Sequence, residues 1–125
     1  MATLKPIDRP PAELVQPFRE FGTATISSGL REVCGILRHY LVGPVATTPG
    51  QKMVGTAVTL SFLPKREDIV TGHQEEEQES RSALWSAVIA TESGDVLVVD
   101  CRGNLQTGCL GGMLMTAIHA KGASG

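Results

Sequence analysis

The eight residues Thr107-Gly-Cys-Leu-Gly-Gly-Met-Leu114 have the composition of an anion cradle. Gly111 and Gly112 open an amphipathic stretch, so the backbone N–H groups at about Gly112, Met113 and Leu114 lie in a first helical turn and lack intrahelical acceptors. Those donors and the positive end of the helix dipole suit a carboxylate or a phosphate, and glycine lets a ligand approach the backbone. From spacing alone, a tight strand-to-helix turn explains the two glycines more simply. Asp100 stands at the carboxyl end of the apolar run Val96-Leu-Val-Val99, where open α/β sheets gather their ligand sites. Capping the following turn is an equal alternative for it.

Other candidates carry less. The chain has no Gly-x-Gly-x-x-Gly after a strand and no Walker-type loop, so nothing supports nucleotide binding directly. No Cys-x-x-Cys or His-x-x-x-His pairs two metal ligands. His39, His73 and His119 are isolated and read as surface or helix-flank residues. Cys109 lies near a helix start, where the dipole could lower its pKa, but no base accompanies it and it reads as a packed thiol.

These residues need elements to hold them. Leu110, Met113, Leu114, Ala117 and Ile118 follow the i, i+3, i+4, i+7, i+8 stripe of a helix that Gly122 stops. Val96 to Val99 reads as a central parallel strand covered on both faces. Met53 to Leu63 alternates, with Val54, Thr56, Val58, Leu60 and Phe62 on one face and small residues on the other, where another backbone or a helix packs closely. A helix is predicted from about His73 to Glu92, with Leu84, Trp85, Val88 and Ile89 as its apolar stripe. Its acidic start, Glu75 to Glu79, reads as a solvated first turn rather than a metal site. Upstream, Ala12 to Phe21 has helical composition interrupted by Pro17. A second short helix is predicted from caps at Thr25 to Ser28 through Cys34, stopping at Gly35. Residues 1–11 form an irregular arm.

The order of elements is α/β, in one domain over 1–125. The 125 residues are 42% hydrophobic and 19% charged, an ordinary globular composition, and 14 glycines suit tight turns around an aliphatic core. A net charge of −2 gives no electrostatic argument for nucleic acid or an anionic membrane. No apolar run is long enough to span a bilayer, and the start lacks a secretory h-region. Three cysteines, an odd number, read as free thiols in a reducing cytoplasm. The last residues, Lys121 to Gly125, fall where a turn into another strand is expected, so the domain reads as C-terminally incomplete. That predicts an open sheet edge beside Val96–Val99 and an oligomeric or aggregation-prone chain.

Four segments in series resemble the RraA-like family, which includes 4-hydroxy-4-methyl-2-oxoglutarate aldolases and the regulator of ribonuclease E activity. They are Thr23 to Leu30, Met53 to Thr59, Gly94 to Asp100 and Gly108 to Leu114. The resemblance implies a swivelling β/β/α fold assembled into trimers or hexamers. It also implies a class II aldolase mechanism, in which a divalent metal, usually Mg2+, stabilises the pyruvate enolate, with oxaloacetate decarboxylation as a side activity. Gly111, Gly112, Met113 and Leu114 map onto the segment that holds the pyruvate carboxylate of the 2-keto acid substrate. Gly112 stands where relatives often carry Asp or Glu, and the family's substrate-binding Arg and metal-holding Asp map beyond Gly125. A second branch of the family acts by protein contact without that metal site, and there the tract Glu75 to Glu79 would face a basic partner. A third possibility is an inactive subunit that assembles with intact copies.

Overall fold

A computed structural model describes residues 6–64, 68, 82–106 and 108–125. Contacts divide the chain into two compact units, Pro10–Val54 and Met1–Arg9 with Gly55–Gly125.

In the Pro10–Val54 unit, helix α1 (Ala12–Val15) passes into a 3₁₀ turn, Gln16–Arg19, that contains Pro17. Proline has no N–H for the α ladder, so the single helix suggested by composition ends after one turn. Helix α2 (Thr23–Glu32) starts after Gly22 in extended backbone, two residues earlier than the predicted caps, and no side chain caps it. Gly35 has φ +68°, the left-handed conformation expected of a helix stop. Lys52 donates to the carbonyls of Arg19 (2.9 Å) and Phe21 (3.4 Å), tying the end of the unit to its first helices.

The larger unit is built on two parallel strands. Strand β1 (Ala57–Ser61) pairs with β2 (Val96–Asp100) in the register Ala57↔Val96 to Ser61↔Asp100. The alternation in β1 is realised, with Val58 and Leu60 buried and Ala57, Thr59 and Ser61 exposed. Its extent is shorter than the predicted Met53–Leu63, because β2 offers five partners. The small face meets another backbone at one end only: a Cβ on Gly55 would lie 1.9 Å from the Gly94 carbonyl oxygen.

Between the strands runs α3 (Ala83–Ala90), capped by Ser82, whose hydroxyl accepts the Trp85 N–H at 3.2 Å. The described helix starts at Ala83; the predicted stretch from His73 to Arg81, with the acidic tract Glu75 to Glu79, lies outside the described residues. The inward face of α3 differs from the predicted stripe. Ser86, Ala87 and Val88 are buried, whereas Trp85 is 39% and Ile89 53% exposed. Small residues let the helix approach β1, and the bulky pair turns outward.

Val58, Leu60 and Ala87 form the core, with Ile7, Phe62, Leu84, Leu97 and Val99 packed against it. Helix α4 (Gly112–Ala120) adds the buried Ile118 and packs against α3. Met113, placed on the apolar stripe by spacing, is instead 87% exposed. Beyond α4, Gly122 takes φ +79° and the last residues run beside β2. There Ser124 N–H donates to Asp95 O (2.7 Å) and Leu97 N–H to Gly125 O (2.8 Å). The β2 edge is thus engaged at Asp95 and Leu97, where sequence predicts an open one; the strand itself is half-buried rather than fully covered.

Polar contacts lock the α3–β2 turn. The Asp95 side chain, 2% exposed, accepts from Arg9 Nη2 (2.8 Å), Arg9 Nε (3.2 Å) and the Glu92 N–H (2.8 Å). Arg9 Nη2 also donates to Ala90 O at 2.6 Å. Lys121 Nζ donates to the Val88 (3.0 Å) and Ile89 carbonyls, closing the C-terminal end of α3.

Candidate functional site

A pocket of about 340 Å³ opens at the carboxyl ends of both strands. Phe62, Leu63 and Pro64, which follow β1, form an apolar wall. Cys101, Arg102 and Asn104, which follow β2, form a second, and Gly108 and Cys109, just before α4, complete it. Parallel strands converge here with a helix that starts three residues on from Cys109, the arrangement in which α/β proteins hold small ligands.

The β2 wall is shaped by a tight turn. Asp100 Oδ1 accepts the Arg102 N–H at 2.8 Å, and Asp100 Oδ2 accepts the Ser61 hydroxyl at 3.3 Å. Asn104 N–H closes onto Cys101 O at 3.0 Å, and Gln106 N–H onto Asn104 Oδ1 at 2.9 Å. Within it Arg102 has φ +52°, followed by Gly103 at φ +76°. A left-handed non-glycine residue costs on the order of 1–3 kcal/mol and persists where its surroundings impose it, often at ligand sites. Here the imposing group is the Asp100 carboxylate, and Arg102, an exposed residue, is among those that line the pocket.

Asp100 is thus the turn cap, and it does not line the pocket. Gly111, Gly112 and Met113 are exposed and Leu114 half-buried; none lines the pocket, although Gly108 and Cys109 beside them do. Met115 N–H makes the first backbone bond of α4, to Gly111 O at 3.1 Å, and no side chain caps the N–H groups before it. Gly111 is extended (φ −94°, ψ 168°), and a Cβ on Gly111 or Gly112 would meet nothing within 4 Å. Neither backbone angle nor packing at Gly111 requires glycine.

Cys101, Arg102 and the partnership of Cys101 with Cys109 have no counterpart in the sequence reading. The available signal was position: both residues directly follow the buried strand, as Asp100 ends it. The neighbouring Cys109 pushes the Cys101 thiol pKa above the ordinary value, helped by desolvation and by the negative charge of Asp100. In the other unit, His39 Nε2 lies 2.7 Å from Ser27 Oγ and its Nδ1 2.6 Å from Ile36 O. These bonds tie the chain after α2 back onto the helix.

Among the described residues, no three His, Cys, Asp or Glu side chains gather as a metal site. Asp100, the carboxylate next to the pocket in sequence, is occupied by the Arg102 N–H and the Ser61 hydroxyl. The described residues do not on their own fit the Mg2+ that the resemblance implies. No helix among them is long and apolar enough to cross a membrane.

Residues 23–125 match the family described as RraA-like, Aldolase/RraA. The fold is similar to the crystal structure of Streptomyces coelicolor RraAS2, described as an unusual member of the RNase ES inhibitor RraA protein family. The TM-score is 0.78 and the identity 41%, over 94% of this chain and 52% of that one, so the chain spans about half the length of that protein. No curated protein matches the chain significantly. The four sequence segments, the α/β architecture and this match agree: the chain belongs to the RraA-like (Aldolase/RraA) family.

Proposed function

We propose that the protein is a lyase of the aldolase branch, cleaving 4-hydroxy-4-methyl-2-oxoglutarate-type 2-keto acids to pyruvate and decarboxylating oxaloacetate as a side reaction. The observation that supports this reading is Arg102, held in left-handed backbone in the wall of a pocket at the carboxyl ends of parallel strands. A guanidinium in a mainly apolar pocket suits a small carboxylate, which it grips bidentately. In this reading Arg102 takes the substrate carboxylate, and Phe62, Leu63 and Pro64 exclude water from the carbon chain. The N–H groups of Gly112, Met113 and Leu114 offer a further anion surface. A divalent metal, usually magnesium, supplies the electrophile in this class, from ligands other than those described.

Pyruvate release from oxaloacetate, followed by coupled reduction to lactate, tests the reading. The expected result is release that magnesium supports and a chelator abolishes. Release no faster than the uncatalysed rate, with and without magnesium, contradicts it. A second reading, regulation of a ribonuclease E-type enzyme by protein contact, is favoured by the 41% identity to RraAS2. Inhibition of such a ribonuclease without pyruvate release would select it. We also propose a cytoplasmic homo-oligomer, trimer or hexamer, since Trp85 and Ile89 expose apolar surface one turn apart on α3.

A further inference from the structure

Ser27 and His39 both belong to the Pro10–Val54 unit and line no part of the pocket. Ser27 lies in the middle of α2, and His39 follows the end of that helix. The chain turns back because Gly35 takes φ +68° and the Ile36 N–H closes onto Leu30 O at 3.0 Å. That reversal sets His39 Nε2 2.7 Å from Ser27 Oγ and Nδ1 2.6 Å from Ile36 O. A carbonyl oxygen can only accept, so Nδ1 carries the proton of the neutral ring and Nε2 presents its lone pair to the hydroxyl. A serine inside a helix ordinarily bonds the carbonyl one turn back or points to solvent. Here its proton is directed at a base. Tyr40 stands edge-on to the imidazole, with ring centroids 5.5 Å apart. Ser27 and His39 are half-buried, whereas Thr23, Thr25 and Ser28 are exposed. A hydroxyl bonded to a base that a third group orients is the arrangement that activates a serine.

We propose that Ser27 and His39 form a nucleophilic pair that takes an acyl group from an activated carboxylic ester. Ser27 Oγ attacks the ester carbonyl while His39 Nε2 takes the hydroxyl proton. The carbonyl re-forms as the bond to the leaving alkoxide or phenolate breaks, and an acyl-serine remains. The imidazolium then gives its proton to the leaving group or to water. Nothing is oxidised or reduced, and the ester is the sole co-reactant. The backbone N–H groups around Ser27 serve the α2 ladder, so they are not free to hold the tetrahedral oxyanion. Each such donor contributes about 10²–10³ in rate, so the pair captures an acyl group stoichiometrically rather than turning over fast. This chemistry is independent of the ligand that the pocket takes.

Wild-type chain treated with p-nitrophenyl acetate, digested with trypsin and sequenced by tandem mass spectrometry tests the pair. Cleavage after Arg19 and Arg31 releases Glu20–Arg31, whose hydroxyls are Thr23, Thr25, Ser27 and Ser28 and which has no Lys, Cys or Tyr. The expected result is acetylation of this peptide at Ser27 alone, lost when the reaction is run in denaturing urea. In His39→Gln the amide can still hydrogen-bond but is not basic. Labelling of Ser27 should then slow by about 100-fold or more, the contribution of a general base. Acetylation spread over the four hydroxyls or confined to Ser28 overturns the proposal, as does a peptide that stays unlabelled. An unchanged Ser27 rate in His39→Gln also overturns it. Ser28 is the control within the same peptide, so selectivity is read on the wild-type chain and does not depend on a variant folding.

Discussion

Replacing Asp95 with alanine is expected to cost about 3 kcal/mol, the upper end for hydrogen bonds to a charged group, because a buried carboxylate with several donors is lost at once. Asp95 is 2% exposed and its carboxylate receives Arg9 Nη2 at 2.8 Å and the Glu92 N–H at 2.8 Å. Among the described residues, removing it leaves Arg9 with only Glu92 Oε1 (3.3 Å) and Ala90 O (2.6 Å) as partners and uncaps the turn between α3 and β2. A domain is stable by only about 5–15 kcal/mol, so chemical denaturation should show a large loss. The same group sets an acid limit. Burial works against ionisation of Asp95, yet the Arg9 hydrogen bond, the Glu92 N–H and the charges of Arg9 and Lys121 hold its pKa below the ordinary 3.8. A depressed folded-state value means that the stabilisation is complete above the unfolded value. It is lost as the pH falls through the folded one. The stability gap between wild type and Asp95→Asn should therefore be constant near neutrality and shrink as the pH drops below about 3.8. A gap that does not narrow in acid contradicts this assignment.

Gly55→Ala should be nearly as costly, for a steric reason. The added Cβ would sit 1.9 Å from Gly94 O, 3.0 Å from Gly94 C and 3.2 Å from Asp95 C, all of them backbone atoms. Gly94 cannot yield easily, because its φ of +84° forms the turn that Asp95 N–H closes onto Glu92 O. The start of β1 must move instead, at the expense of the 2.9 Å bond from Val96 N–H to Thr56 O. Overpacking costs about 1–3 kcal/mol where side chains can adjust, and this site belongs at the upper end. Gly111→Ala is the matched control, with nothing within 4 Å of the new Cβ and extended backbone that any residue adopts. Its melting temperature should stay close to wild type. Equal losses in the two variants would show that the Gly55–Gly94 approach is not tight.

Local pattern carried much of this fold and non-local chemistry escaped it. The period-two alternation places Val58 and Leu60 inward because one face of β1 must pack. The continuous run Val96–Val99 is a parallel strand, and Gly35 and Gly122 stop helices with positive φ. Size misled the helix faces: Trp85, Ile89 and Met113 look like core residues by spacing, but Ser86 and Ala87 allow the closer packing. The Ser82 cap at the start of α3 depends on a hydroxyl that accepts the Trp85 N–H, a contact that hydrophobic spacing does not mark. Arg9 and Asp95 lie 86 residues apart, and no local period connects them. At the site, Asp100 was legible as the end of a buried strand, and so was the glycine start of α4. Arg102 was not, since its place in the pocket depends on a left-handed backbone that arginine rarely adopts.

The central claim is that Arg102 holds the carboxylate of a 2-keto acid in this pocket. Pyruvate titrated into wild-type protein and Arg102→Ala, followed by calorimetry, tests it directly. A charge-assisted hydrogen bond contributes about 1.5–3 kcal/mol. The account therefore predicts saturable binding to wild type that weakens roughly 10- to 150-fold in the variant, at 1.36 kcal/mol per tenfold. Equal affinity in the two proteins, or no binding to wild type, would contradict it.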